Sequence, residues 1–201
     1  MIVVGILGAP GVAGEQALAI ARLVAATDAS VEMVGVAPPD LAGDATLLEL
    51  AAAGVRHATV IRTFADGLEE ADLDLALHYL PDIRAIVLVQ PGAVLIPPAA
   101  AAASWSESGL VVIGPVDAAT TAALDAVPTA IVLDPPATDA DGTFAGFVAA
   151  LAARLEAGRP GAEALRETLD GLAADRISSP VAPARRRPNA ERRTGRPSRS
   201  P

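Results

Sequence analysis

The stretch Thr138-Asp139-Ala140-Asp141-Gly142-Thr143-Phe144-Ala145-Gly146-Phe147 sets a turn of small and acidic residues in front of an Ala- and Leu-rich run of helical length. Asp in such a place accepts hydrogen bonds from the orphan N–H groups of a helix's first turn and complements its dipole. The pattern predicts a helix over 140–157, N-capped by Asp139 and Asp141 and stopped by Gly158 where a C-cap glycine belongs. Just upstream, residues 130–133 form a short apolar run, and Pro135 sits in the connection that follows. The unit is therefore strand, loop, helix.

The same unit recurs outward from this point. Short apolar runs at 2–7, 31–36, 58–62, 85–89, 110–113 and 130–133 read as strands. Several are continuously apolar, as parallel strands covered on both faces are. Between them lie helical stretches at 14–26, 43–53, 68–79, 97–104, 117–125, 140–157 and 161–174. Gly54 and Gly158 follow helices, and Pro81, Pro115 and Pro135 fall in connections. Alternation of this kind specifies a three-layer α/β fold, a mostly parallel sheet with helices on both faces. Ligands of such sheets bind at the carboxyl ends of the strands. That assigns function to the loops at 8–14, 37–43, 90–96, 114–117 and 134–142.

Composition bounds the chemistry. Over 201 residues that are 52% hydrophobic, one core of Ala, Val and Leu can be buried, so a single domain is expected. All 15 basic residues are Arg, which excludes lysine chemistry, and the lack of Cys excludes disulfides and thiolate sites. The start lacks a basic n-region, and no apolar run approaches the roughly 18 to 20 residues of a membrane span. A cytoplasmic protein with no membrane role is expected. Residues 1–179 hold 23 Asp and Glu against 8 Arg, a net charge of −15, whereas residues 180–201 hold 7 Arg against Glu191, a net of +6. The latter segment is Pro-rich with few apolar residues and is expected to be a disordered tail following a domain at 1–179.

The opening stretch resembles the active-site signature of ribokinase-like (PfkB) carbohydrate kinases, Thr-Gly-Ala-Gly-Asp-Ala-Phe-Ala-Gly. Thr138, Ala140, Phe144, Ala145 and Gly146 match it, while its two glycines have become Asp139 and Asp141 and its Asp has become Gly142. Two more segments are similar to the family. Residues 16–63 run from Gln16-Ala17-Leu18-Ala19 through Val34-Gly35, Leu41-Ala42-Gly43-Asp44 and Ala53-Gly54-Val55, and residues 158–166 read Gly-Arg-Pro-Gly-Ala-Glu-Ala-Leu-Arg. The resemblance covers most of residues 10–170 and implies a ribokinase-like fold. It also implies an anion hole of backbone N–H groups, a catalytic Asp and ATP with Mg2+ as cofactors, and here the pattern is broken. Carboxylates stand where phosphate would bind, the base is Gly142, and Glu15 replaces the sugar-binding Asn after Pro10-Gly11-Val12-Ala13-Gly14. No Asn-x-x-Glu segment exists, because Asn189 is the only Asn.

Three functions stay open on this reading. The first is a degenerate, non-catalytic kinase-like protein binding a small ligand or a protein partner, with homo-oligomers allowed and nucleic acid disfavoured. Its anion loop comprises Gly11, Gly14, Thr138, Asp139, Asp141 and Gly142, and it has no metal site and no assigned cofactor. The second is a divergent carbohydrate or nucleoside kinase that uses Asp141 as base with ATP and Mg2+. The third is a Rossmann-like nucleotide-binding protein using the glycines Gly5, Gly8, Gly11 and Gly14, against a plain close strand-to-helix turn. Asp40, past the second strand, is displaced from the place of an acidic ribose contact. Elsewhere His57 and His78 read as exposed surface residues, Trp105 as a helix end packing its ring, and the run Glu69, Glu70, Asp72, Asp74 as a solvated helix start.

Overall fold

The computed structural model of the chain describes residues 1–6, 12–27, 29–64 and 67–178. Its strands are β1 (Ile2–Ile6), β2 (Glu32–Ala37), β3 (Arg56–Arg62), β4 (Ala85–Val89), β5 (Gly109–Ile113) and β6 (Ala130–Leu133). The helices are α1 (Val12–Ala25), α2 (Leu41–Ala52), α3 (Glu70–Tyr79), α4 (Ile96–Trp105), α5 (Ala118–Asp125), α6 (Thr143–Glu156) and α7 (Gly161–Ser178), with one 3-10 turn at Ala93–Leu95. The strands join in one sheet of order β3-β2-β1-β4-β5-β6, and every pairing is parallel.

The continuous apolar runs have the physical cause expected of them. Strands β2, β4 and β5 are buried at every position, because helices cover both faces. Successive side chains feed two separate cores. Val87 and Val89 point to the one shared with Ile20 of α1, Leu50 of α2, Leu151 of α6 and Ala164 of α7. Ile86 and Leu88 point to the other, with Leu73 of α3, Ile96 of α4 and Leu124 of α5. The edge strands β3 and β6 mix exposed and covered positions.

Helix α1 lies close on β1 because Gly5 stands beneath it, and β2 lies close on β1 because Gly35 has no side chain. A Cβ built on Gly5 would come within 2.5 Å of the Ala17 Cβ, and one on Gly35 within 2.0 Å of the Gly5 carbonyl oxygen. Gly5 thus serves the close strand-to-helix turn. Gly8 and Gly11 lie outside the described residues, as does the segment 180–201.

Four local expectations need correction. The helix predicted from 140 begins at Thr143, since Gly142 takes a left-handed conformation at φ 70° that breaks the helix off from Asp141. The helix predicted over 161–174 continues to Ser178. Trp105 does end α4, but the residue is 63% exposed and does not pack inward. The buried face of α4 is made by Ala99, Ala100, Ala102 and Ala103, and position 105 falls beyond it. His57 is half-buried on β3, its Nδ1 3.1 Å from the Val55 carbonyl oxygen. His78 is exposed as expected and meets Tyr79 edge-on.

Candidate functional site

The loop after β6 is organised by Asp139. Its backbone carbonyl accepts from the Gly142 N–H at 3.0 Å, which closes the turn. Its side chain reaches over that turn to α6, where Oδ1 accepts from the Phe144 N–H at 2.9 Å and Oδ2 from the Ala145 N–H at 2.8 Å. Asp141 Oδ1 accepts from the remaining first-turn donor, the Thr143 N–H, at 3.1 Å. The Gly146 N–H already bonds the Gly142 carbonyl at 2.9 Å. Every donor that a helix start offers to an anion is therefore taken by the chain's own oxygens. N-capping, expected of both Asp residues, is what they do.

The opposite wall is the first turn of α1, which packs alongside α6. Between them opens a cleft of about 360 Å³ whose walls include Glu15, Gln16 and Ala19 from α1, and Thr138, Asp139 and Gly142 from the loop. The topology thus brings the segments around 14 and 138–142 together. Gly14 is buried in α1 next to the cleft-lining Glu15, and Asp141 is exposed on the loop without lining the cleft. Gly11 lies outside the described residues.

Gln16 was not singled out from the sequence. It is only 5% exposed, and neither its amide nitrogen nor its amide oxygen has a hydrogen-bond partner among the described residues. A signal for its burial existed. Residues 16, 20 and 24 fall on one helix stripe with 17 and 21, and Ile20 and Val24 are fully covered. The amide sits where that period places a core side chain.

The cofactors implied by the kinase resemblance do not fit this site. A nucleotide phosphate needs free N–H donors at the start of α6 and meets Asp139 instead. Among the described residues no group of three His, Asp or Glu is placed to hold a metal ion. The nucleotide-binding alternative fares differently in its two parts. The strand order is that of doubly wound dinucleotide-binding sheets. Asp40, however, caps α2 by accepting from the Gly43 N–H at 3.0 Å, so its carboxylate is engaged in that cap.

No family sequence profile matches the chain, and no curated protein is similar to it by sequence. Solved structures are similar in fold. The ATP-bound fructokinase of Xylella fastidiosa superposes with a TM-score of 0.59 at 11% identity, over 87% of this chain and 87% of that one. A protein of E. coli provisionally assigned as ribokinase II, in complex with ATP and Mg2+, gives 0.54 at 12% identity over 83% of this chain and 89% of that one. The fructokinase of Halothermothrix orenii gives 0.51 at 10% identity over 84% and 93%. Among the described residues no helix is long and apolar enough to cross a membrane.

Proposed function

The chain has the ribokinase-like fold, and from that premise we propose that it is a kinase-like scaffold without phosphotransferase activity, acting as a binding module for a small ligand or a protein partner. The small-ligand site is the cleft between α1 and α6. One observation carries this reading: both carboxylate oxygens of Asp139 occupy the N–H groups of Phe144 and Ala145. Phosphoryl transfer depends on positioning and on stabilising charge at the transferred group. Here the helix start is already neutralised, and the base position of the kinase signature is Gly142, which has no side chain. Removal of a general base alone costs about two to four orders of magnitude in rate.

The purified protein is expected to transfer no phosphate from ATP to ribose, fructose, adenosine or their phosphates above background. Robust turnover abolished by Asp141→Asn would establish instead a divergent kinase using Asp141. The dinucleotide-binding reading is favoured by the strand order alone and is checked alongside. A thermal shift with NAD but not with ATP is its signature, since a ligand at a hundred times its Kd adds about 2.7 kcal/mol of stability.

A further inference from the structure

We propose that α2 is a dimerisation helix, whose outward ridge Leu41-Ala45-Leu48-Ala52 packs antiparallel against the same ridge of a second copy of this chain.

The ridge follows from the sequence of α2, which is apolar on both of its sides. Gly43 and Leu50 face the sheet and are buried. The opposite side carries Leu41, Ala45, Leu48 and Ala52, all exposed, with Leu41 at 86% and Leu48 at 71%. A helix that is apolar all round belongs inside a larger body, whereas the exposed positions of α3, for comparison, include Glu70, Asp74 and His78. The alternate steps of four and three residues along the ridge are those of a seam between two paired helices.

Packing selects a second copy as the occupant. With the helices antiparallel about a two-fold axis, Leu41 falls opposite the partner's Ala52 and Leu48 opposite the partner's Ala45. Every layer then sets a large side chain against a small one. The ridge is complementary to itself, as an isologous dimer requires, and its alanines let the helix axes approach to about 8 Å. A parallel pair would stack Leu on Leu and Ala on Ala, leaving layers of unequal width.

Charge makes the same selection. The ridge is flanked by Ala42 and Glu49 on one side and by Asp44 and Ala51 on the other. Antiparallel pairing sets Glu49 against the partner's Ala42 and Asp44 against the partner's Ala51, whereas parallel pairing sets Asp44 against the partner's Glu49. Like charges therefore meet only in the parallel arrangement. Within the chain Arg62 pairs with Asp44 and Arg22 with Glu49, so both carboxylates are already compensated. The seam is about three turns long, which makes the dimer a reversible one with a Kd of about 100 μM or below.

The experiment is sedimentation equilibrium of the full chain from about 5 to about 500 μM, a range that spans such a Kd. A monomer–dimer equilibrium is expected, and Ala45→Glu and Leu48→Glu are each expected to weaken it at least about tenfold. Both positions are exposed in the monomer, so Tm measured at the lowest concentration is expected to stay near that of the parent. The direction of pairing is read by disulfide trapping, since the chain has no Cys of its own. Leu41→Cys mixed with Ala52→Cys is expected to give cross-linked dimers under mild oxidation, well above the yield of either variant alone. A chain that stays monomeric over the whole range, a dimer indifferent to both Glu substitutions, or Leu41→Cys cross-linking to itself as readily as to Ala52→Cys overturns the proposal.

Discussion

At the scale of single residues, two side chains do opposite things to stability. Asp139 stabilises the start of α6 by accepting from two first-turn N–H groups, and loss of a capping side chain costs about 1 kcal/mol. Asp139→Ala is therefore expected to lower Tm by about 2 to 4 °C in a domain of this size, as read by calorimetry. It is not expected to produce a kinase, because Gly142 still supplies no base. Gln16 works the other way. Its buried amide forgoes hydrogen bonds that water satisfies in the unfolded chain, a penalty of about 1 to 3 kcal/mol. Gln16→Met is expected to raise Tm by a few degrees, and a lowered Tm would mean that the amide is satisfied in the folded protein. Asp139 and Gln16 also mark what the sequence discloses and withholds. A capping Asp is legible because its partners are its own neighbours along the chain. Gln16 is not, because the absence of a partner is a property of the folded surroundings.

At the scale of elements, parallel strands buried on both faces write themselves as unbroken apolar runs, so β4 and β5 fall within a residue of where the sequence puts them; β2, which carries Glu32, and the partly exposed edge strand β6 do so too. Helix starts are harder, since they turn on one dihedral angle. Acidic residues at 139 and 141 suit a first turn or a cap equally, and the φ of Gly142 decides for the cap. Helix α5 has a cap of another kind. Asp117 accepts from the Thr120 N–H at 2.8 Å, and Thr120 Oγ1 accepts in return from the Asp117 N–H at 2.9 Å. Hydrogen bonds from the Thr120 backbone and then its hydroxyl hold the Asp117 carboxyl below its ordinary value of 3.8. A lowered folded value means that the cap's stabilisation is complete above the ordinary range and is lost as pH falls through the folded value. Asp117→Ala is expected to lower Tm at pH 7, with the difference from the parent shrinking steadily below about pH 4. A difference independent of pH would leave the charge of Asp117 no part in the cap. The β1–α1 contact gives a sharper test. Gly5→Ala drives a methyl against the Ala17 Cβ, at a cost of about 1 to 3 kcal/mol. Adding Ala17→Gly opens the space again, so the double variant is expected to lose less than the sum of the single losses, and strict additivity in denaturant unfolding would refute the contact.

At the scale of the whole molecule, sequence order and spatial order part company. The alternation of strands and helices specifies a parallel three-layer α/β fold, but within the order β3-β2-β1-β4-β5-β6 helix α1 packs on α6 across more than a hundred residues of chain. No local pattern encodes that neighbourhood, and the cleft between them became visible only in three dimensions. The segment 180–201 lies outside the described residues. Its net charge of +6 follows a preceding −15, and the two attract over about the 8 Å Debye length of physiological salt. With few apolar residues it has little area to bury, and weak charge pairing between exposed groups contributes at most about 1 kcal/mol. We propose a solubilising role for it. Its Arg residues can contact a polyanion, but no aromatic residue lies among them to stack on bases. Each phosphate contact steepens the salt dependence by about 0.9 in the log-log slope, and the acidic remainder of the chain repels the same polyanion. Truncation after Ser179 is expected to leave Tm nearly unchanged, and DNA binding by the full chain is expected to vanish near physiological salt. A large fall in Tm on truncation would place the segment inside the folded unit, and sequence-specific DNA binding that survives such salt would make it a recognition element.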